Sequence, residues 1–536
     1  VPETRTSKTG ESYDAIVVGA GAAGGLAARL LRDAGWKILV LDAGWTPPFW
    51  RAPFRRTVAW LVATLANPKA IRFLPQNLIW KGRQALKHLG RLRQPVQVNC
   101  FAWERMPAAF VDDLDHPYTQ SQDGAFDWLR TRQIGGRMVV PGHGRQYYRL
   151  SDDELQPNDG LSEPWPVTSQ ELSPWYTFVE QKLRLAGQAD NLAHLPDSHI
   201  SAPIEPNASE AELQDMLKTR WPSAPSVLGR YAPPLLHDDV FDDRQKVDCV
   251  RGAIAKRLLT RKSGEVSGVE WHDQATGKTR TAEADHVFLC ASAFESVRLL
   301  MLSASEDKPG GLGGSSGVLG RYIMDHVLVR AEGEGGALPD EPVEMEDGRC
   351  LYLPRFDQRD APDPKRKRGF GFQVYRSTGR PEHSYFTAVS FGEMLPRAEN
   401  RITLSDTKTD VWGIPVPEIR CVHGDHETRL AQEQKKALLE LADHVGATLS
   451  NIDETAATPG TAAHECGGAR MGDDPKTSVL DPFNQCWDTQ GLYVTDGSAF
   501  PSQGAQNPTL TIMALTARAC DHAIRRRGEK GLLETE

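Results

Sequence analysis

The sequence predicts an α/β fold, a Rossmann-like dinucleotide-binding domain with an interleaved α+β substrate domain built on an antiparallel sheet. Three observations predict it. Residues 13–41 read as strand, glycine turn, helix and strand in direct succession. Residues 247–292 alternate apolar and polar side chains around two short turns, the pattern of a β-meander. Residues 461–527, at the other end, read as a loop of small residues, a strand and a long helix. A site that draws on both ends of 536 residues implies one interleaved body.

The first unit is the clearest. YDAIVVG is a buried strand, GAGAAGGLAARLLRDAG a turn and helix, and KILVLDAG the next strand. Gly19-Ala20-Gly21-Ala22-Ala23-Gly24 supplies GxGxxG between them. Gly19 allows the tight turn, Gly21 lets the backbone approach a pyrophosphate, and Gly24 lets the helix pack closely on the strand. The helix N-terminus then faces the phosphates. Asp42 ends the second strand, where an acid can bind adenosine ribose hydroxyls, and Ala43 follows it. GxGxxG alone is a weak signal; two flanking strands and the acid make this a dinucleotide site.

Composition sets the outer limits. The chain is long enough for two domains or more. It is 40% hydrophobic and 25% charged, as in ordinary globular proteins. A net charge of -9 argues against nucleic-acid binding. Eight cysteines without a CxxC pair speak against a zinc knuckle and suggest reduced thiols, hence a cytoplasmic setting. The polar start lacks a hydrophobic signal core; removal of a signal would leave a periplasmic or secreted setting open. No stretch approaches the ~20 apolar residues of a membrane span. No metal site is expected, because His464-Glu465 has Gly468 where HExxH needs its second histidine. Gly313 to Gly317 fits GxSxG, but a polar loop precedes it where a nucleophile elbow needs a buried strand.

Residues 45–103 carry ten Lys or Arg and no Asp or Glu, with Trp45, Phe49, Trp50, Trp60 and Trp80 interspersed. This reads as a helical insertion packed on the body, a membrane-surface helix, or a docking arm. Within 127–150, the runs GGR and GHGRQ suggest a loop passing close to a flat ligand. WPVTSQELSPWY holds a helix start, with Thr168 as N-cap and Glu171 at N3. Residues 186–240 form an excursion, Lys365-Arg366-Lys367-Arg368 a hairpin tip, and FGEMLPRAENRITLS and IPVPEIRCV strands of the substrate sheet. HETRLAQEQKKALLELADHVGA is an amphipathic helix. The expected allotment is 11–45, 100–165, 240–330 and 455–530 to the dinucleotide domain. Residues 166–239 and 331–454 go to the substrate domain, and 46–99 to a basic insertion or arm.

Near the carboxyl end, Asn507 and Pro508 are the preferred residue types to begin a helix, and Arg525 to Arg527 with Gly528 suit its end. The positive end of that helix then faces the cofactor; beside an isoalloxazine it would stabilise negative charge on the reduced ring. Asp496-Gly497, after the strand LYVT, gives a second close backbone approach. Oxidising an alcohol needs a base for the hydroxyl proton, and an imidazole suits that task. His464 lies among small residues, and Asn507 can hold the same hydroxyl. Asp325 and His326 are adjacent and expected to point apart on a strand, with a structural or cofactor-adjacent role.

VVGAGAAGG with VLDAG, IGGR, WPVTSQELSPWY, ASAFESVRLL, SSGVLGRYIMDH, FGEMLPRAENRITL, HECGGARMG, and LYVTDGSAF with QNPTLTIMALTARA run through almost the whole length. In these segments the chain resembles the glucose-methanol-choline (GMC) flavin oxidoreductases. GRYIMDH and QNPTLT are most similar to the bacterial pyranose-oxidase-like and glycoside 3-oxidase or 3-dehydrogenase branch. The resemblance implies FAD, His464 as general base, and Asn507 in the second catalytic position, where many relatives have histidine. It implies cofactor contacts at Ala22, Ala23, Ala43, Gly136, Arg137, Gly144, Val250, Ala291, Pro508 and Thr509, beside Gly19, Gly21, Gly24, Asp42, Asp496 and Gly497. The implied reaction is oxidation of a secondary hydroxyl of a sugar or glycoside, at ring carbon 3 or 2, to a ketone. Hydride passes to flavin N5 and electrons pass on to O2, a quinone or a cytochrome.

Two departures bear on this. Pyranose oxidases tether FAD to a histidine a few residues after the glycine pair; here His143 comes later in a different pattern, so FAD is expected to be non-covalent. Residues 45–103 exceed what the family needs there, which suggests a partner subunit or homo-oligomer bound through 46–99. The alternatives are a flavin subunit of a membrane-associated sugar dehydrogenase complex and a redox-silent lyase on the same fold.

Overall fold

The computed structural model describes residues 12–45, 76–143, 145–233, 238–243, 246–335, 349–358, 368–380 and 383–534, with Leu235 and a few positions between 54 and 64. Its centre is a parallel sheet. Val247–Arg251, Ile38–Asp42, Ser12–Val18, Lys278–Leu289 and Leu492–Val494 lie side by side in that order. Val18 pairs with Leu41 and with Leu289, and Leu289 pairs with Val494, so the carboxyl ends of these strands align along one edge. Ile38–Asp42, Leu492–Val494 and the carboxyl ends of Ser12–Val18 and Lys278–Leu289 are runs of mainly β-branched and other apolar residues, as strands covered on both faces require. The amino half of Lys278–Leu289 turns into an antiparallel meander with Val266–Asp273 and Ala253–Thr260, as the alternation predicts.

Helices cover the sheet. Ala22–Asp33 packs against the helix Thr509–Arg526, which in turn packs against Ser169–Leu183. Thr509–Arg526 is buried along most of its circumference, which its small and apolar residues permit. Ser169–Leu183 starts with the expected capping box: the Glu171 N–H donates to Thr168 Oγ1 at 3.3 Å, and the Thr168 N–H to Glu171 Oε2 at 2.8 Å.

The second layer is a six-stranded antiparallel sheet, in the order Ala447–Ile452, Val327–Gly335, His383–Gly392, Phe370–Arg380, Leu351–Leu353 and Val227–Leu228. Asp425–His444 packs on it through Leu430, Ala437, Leu438 and Leu441. Arg401–Thr409 and Pro415–Arg420, expected in this sheet, instead form a separate three-stranded sheet with Thr119–Gln120. They pack against Ala293–Leu302, where Arg298 donates to Asp410 at 2.9 Å and to the Pro415 carbonyl at 2.8 Å. A buried arginine there needs those acceptors, and the strand pair provides them.

Other expectations change. Arg368 does not sit at a hairpin tip: it is buried and pairs with Asp159 at 2.6 Å and Glu393 at 2.8 Å. Lys365 to Lys367, and most of 46–75, lie outside the described residues. In the basic segment, Gln76–Gly90 is a helix that turns Leu86 inward. A Cβ on Gly90 would meet the Trp103 ring at 2.4 Å, so glycine sets how closely this helix docks. Leu78, Leu89 and Leu92 remain exposed. Among the described residues, no helix is long and apolar enough to cross a membrane.

Candidate active site

The aligned carboxyl ends of the parallel strands open onto one long cleft, where ligands of such sheets bind. Gly19, Gly21, Ala22, Ala23, Asp42, Ala43, Gly136, Arg137, Ala291, Asp496, Gly497, Pro508 and Thr509 all line it, together with His464. Gly19 has φ +94° and its added Cβ would meet the Cys290 carbonyl oxygen at 2.3 Å, so the turn excludes any side chain. A Cβ on Gly21 would meet nothing of the protein closer than 3.9 Å, which leaves open space over the helix N-terminus. Gly24 lies off the cleft; its Cβ would strike the Gly19 carbonyl at 1.9 Å, so it serves the close helix–strand packing.

Asp42 does more than offer its oxygens to a ribose. Its Oδ2 accepts the Ala20 N–H at 2.8 Å and its Oδ1 the Gly44 N–H at 2.7 Å, so it braces both glycine turns. Burial pushes its pKa up while those N–H groups pull it down. Each oxygen keeps a second lone pair for a ligand hydroxyl. Asp496 is held in the same manner, accepting from Ser498 Oγ at 2.6 Å and from Ser296 Oγ.

Arg132 was not expected here. Its side chain lines the cleft, pairs with Glu295 at 3.3 Å, and leaves Nη1 buried without a hydrogen-bond partner. Burial lowers its pKa to about 10. A buried, unmatched guanidinium N–H suits an anionic or polar cofactor group. With the open space above Gly21 and the helix N-terminus, the residues present fit a dinucleotide. The only sequence signal for Arg132 is its place just before IGGR.

Val250 does not reach the cleft. It pairs with Leu41 across the sheet, and its side chain is buried in the hydrophobic core. Ala253, Ile254 and Ala255 line the cleft instead. Gly144 lies outside the described residues. His143 lines the cleft, stacks on Phe101 at 4.9 Å between centroids, and lies 3.4 Å from Cys100 Sγ. Burial pushes it down to about 3, helped by the charges of Arg137 and Arg145.

At the far end of the cleft the two sheets meet. His464 Nε2 is 3.3 Å from Asn507 Nδ2, so the expected pair is together. Asn507 is not the helix cap: Pro508 takes that position, and the Asn507 amide makes no capping bond. Its Oδ1 accepts from Gln373 Nε2 at 2.6 Å, and Gln373 Oε1 accepts from the Tyr375 hydroxyl at 2.9 Å. The six-stranded sheet thus holds the amide away from the helix end. On its other side, His464 Nδ1 is 2.8 Å from His326 Nδ1, and His326 Nε2 is 2.9 Å from the Gly504 carbonyl. Phe391 packs on both rings, at 5.1 and 5.5 Å.

The loop before His464 is fixed from below. Asp325 accepts the backbone N–H groups of Gly460 at 2.6 Å, Ala462 at 3.2 Å and His464 at 3.0 Å. Burial and the charge of Glu465 push its carboxyl up, to about 7. Ala463 sits at φ +57°, a left-handed conformation that costs a β-carbon residue roughly 1 kcal/mol. Its carbonyl accepts from Arg137 Nη1 at 2.6 Å, and Arg137 Nη2 pairs with Glu465 at 2.7 Å. Burial, with the Arg137 charge nearby, holds the His464 pKa well below its ordinary value. The arrangement offers a neutral imidazole and an amide N–H to one small polar ligand at the edge of a dinucleotide cleft. Among the described residues, no cluster of acidic, histidine and cysteine side chains could hold a metal ion.

Comparison with known proteins gives the same architecture. Residues 396–516 match the family model described as GMC oxidoreductase. The chain is 27% identical to 2-methyl-1,2-propanediol dehydrogenase of Mycolicibacterium austroafricanum, over 74% of this chain and 82% of that one. It is 23% identical to the fructose dehydrogenase large subunit of Gluconobacter japonicus, over 95% and 97% of the two chains. The fold is similar to that of a formate oxidase variant from Aspergillus oryzae RIB40, with a TM-score of 0.64, 16% identity, and 97% of this chain and 100% of that one covered. Residues 396–516 thus carry the GMC oxidoreductase match, and the chain is an FAD-dependent enzyme that acts on CH–OH groups.

Proposed function

We propose that this chain oxidises a secondary hydroxyl of a sugar or glycoside to a ketone, at ring carbon 3 or 2, with FAD bound non-covalently in the cleft. The observation that carries this reading is His464 Nε2, beside Asn507 Nδ2, at the junction of the dinucleotide cleft and the substrate sheet. Bound FAD supplies the hydride acceptor, its N5. His464 Nε2 takes the hydroxyl proton, as a neutral imidazole can. Asn507 Nδ2 donates to the same oxygen and does not compete for the proton. Thr509, at the first turn of the carboxyl-terminal helix, brings the positive helix end to the cleft, where it favours negative charge. Gln373 and Tyr375 give the substrate side a polar character that suits a polyol, and likeness to a fructose dehydrogenase subunit supports a sugar.

The test is a panel of sugars and glycosides added anaerobically, with loss of the yellow flavin absorbance recorded and the product carbonyl located. Bleaching by glycosides with a new ketone on the ring is the expected result. No bleaching by any alcohol would contradict it and favour the redox-silent lyase. Acid precipitation should release the flavin into the supernatant; flavin retained by the protein would contradict non-covalent binding. O2, a quinone and a cytochrome, offered in turn, identify the electron acceptor. The eight free thiols support a cytoplasmic setting.

One observation favours a second reading, a flavin subunit of a membrane-associated complex docked through 46–99. Gln76–Gly90 carries Lys81 and Arg83, with Leu78 and Leu89 exposed beside them, and one relative is itself the large subunit of a dehydrogenase. Salt-dependent binding to anionic vesicles, or co-purification of a haem subunit, would support it.

A further inference from the structure

We propose that His326 is a positioning residue that fixes the tautomer of His464, so that the bare lone pair of His464 Nε2 faces the substrate. This rests on the reading of His464 as the base. The Gly504 carbonyl can only accept, so His326 Nε2, 2.9 Å away, carries hydrogen. The two Nδ1 atoms are 2.8 Å apart, so one of them donates and the other accepts. If His326 donated, it would carry hydrogen on both nitrogens and be a cation.

The surroundings oppose that cation. His326 is 1% exposed. The cationic or basic groups facing the pair are Arg137 and His143. The acids near it are already engaged: Asp325 with three backbone N–H groups, Glu465 with Arg137. Burial lowers the His326 pKa to about 4. His326 is therefore neutral and accepts through Nδ1. His464 then carries its hydrogen on Nδ1, and a neutral His464 leaves Nε2 bare.

The opposite end of the network agrees independently. Tyr375 donates to Gln373 Oε1 at 2.9 Å, which turns Gln373 Nε2 toward Asn507 Oδ1 at 2.6 Å. The Asn507 NH2 then faces His464 Nε2 at 3.3 Å, a donor facing an acceptor. When the hydroxyl proton arrives on Nε2, His464 becomes a cation, and its Nδ1–H bond to His326 strengthens. His326 thus takes the position that a carboxylate fills beside the histidine of hydrolase triads, without its charge.

The experiment is imidazole ¹⁵N NMR on the FAD-loaded, histidine-labelled protein, with His464 assigned through His464→Gln. Wild-type His464 should show a protonated Nδ1 and an unprotonated Nε2. In His326→Leu the Nε2-protonated tautomer should appear, and the anaerobic rate of flavin reduction at saturating substrate should fall about 100-fold, with little change in KM. His326→Asn, whose Oδ1 can accept from His464 Nδ1, should recover about tenfold of that loss. A protonated Nε2 in the wild type would overturn the proposal, and so would an unchanged tautomer and rate in His326→Leu. If His326→Leu does not fold, the wild-type spectrum and His326→Asn still decide. His464→Ala separates the two readings: a normal rate there sinks the base assignment, whereas a slow His464→Ala with a normal His326→Leu sinks the His326 proposal alone.

Discussion

The backbone N–H of His464 donates to Asp325 Oδ1 at 3.0 Å, so the residue next to His326 in sequence holds the backbone of the residue whose ring His326 meets. Asp325→Asn leaves one oxygen to serve three N–H donors and sets an NH2 against one of them. The lost acceptor and the misplaced NH2 should cost about 1–3 kcal/mol, read as a lower urea midpoint. Turnover should fall with it, because Ala463 loses the restraint that keeps it left-handed. An unchanged midpoint would show that water or a shifted loop supplies those bonds.

The pH response of the histidine pair follows from burial. An imidazole in an unfolded chain titrates at about 6.5. Burial lowers His326 to about 4 and His464 well below its usual value. Both rings should stay neutral in ¹⁵N spectra as the pH falls from about 7.5 to about 5.5. The unfolded chain binds these protons first. Their contribution to stability is therefore present above about 6.5 and is lost as the pH falls toward the folded values. Titration of either ring near 6.5 would contradict this.

Arg137 joins the glycine turn to the loop that carries His464. Its partner Glu465 has a side chain 1% exposed, and Arg137→Leu would leave that carboxylate without its cation. Breaking a buried pair from one side costs about 3–5 kcal/mol. A double-mutant cycle with Glu465→Gln should show strong coupling, with Arg137→Leu less damaging when Glu465 is already neutral. Additive effects would contradict the pairing.

Asp42→Ala should loosen the cofactor. It removes the acceptor of the Ala20 and Gly44 N–H groups. Two charge-assisted bonds correspond to about 10–100-fold in FAD dissociation constant, read from the fluorescence of released flavin. An unchanged dissociation constant would assign the bracing to the backbone alone.

The first strand–turn–helix was legible because its determinants are local: glycines at fixed spacing and apolar runs of strand length. His464 was legible because it lies in a long stretch of small residues within recognisable segments. His326 was not. Asp325 and His326, expected to point apart on a strand, instead lie just before the strand Val327–Gly335, and both reach His464, 138 residues later in the chain for His326. Asn507 shows the same limit. Its residue type predicts a helix cap, yet Gln373, 134 residues earlier, turns its amide into the site. Arg132 is not legible, and the strands within 401–420 are legible as strands but not as a separate sheet, because arginines buried against distant acceptors leave no periodic trace in sequence.

The most direct test of the account is the anaerobic reduction rate of bound flavin by a sugar or glycoside substrate, in wild type and in His464→Ala. The account predicts rapid bleaching in the wild type and a loss of at least about 100-fold in the variant at neutral pH. A His464→Ala protein that keeps its flavin and bleaches at the wild-type rate would contradict it.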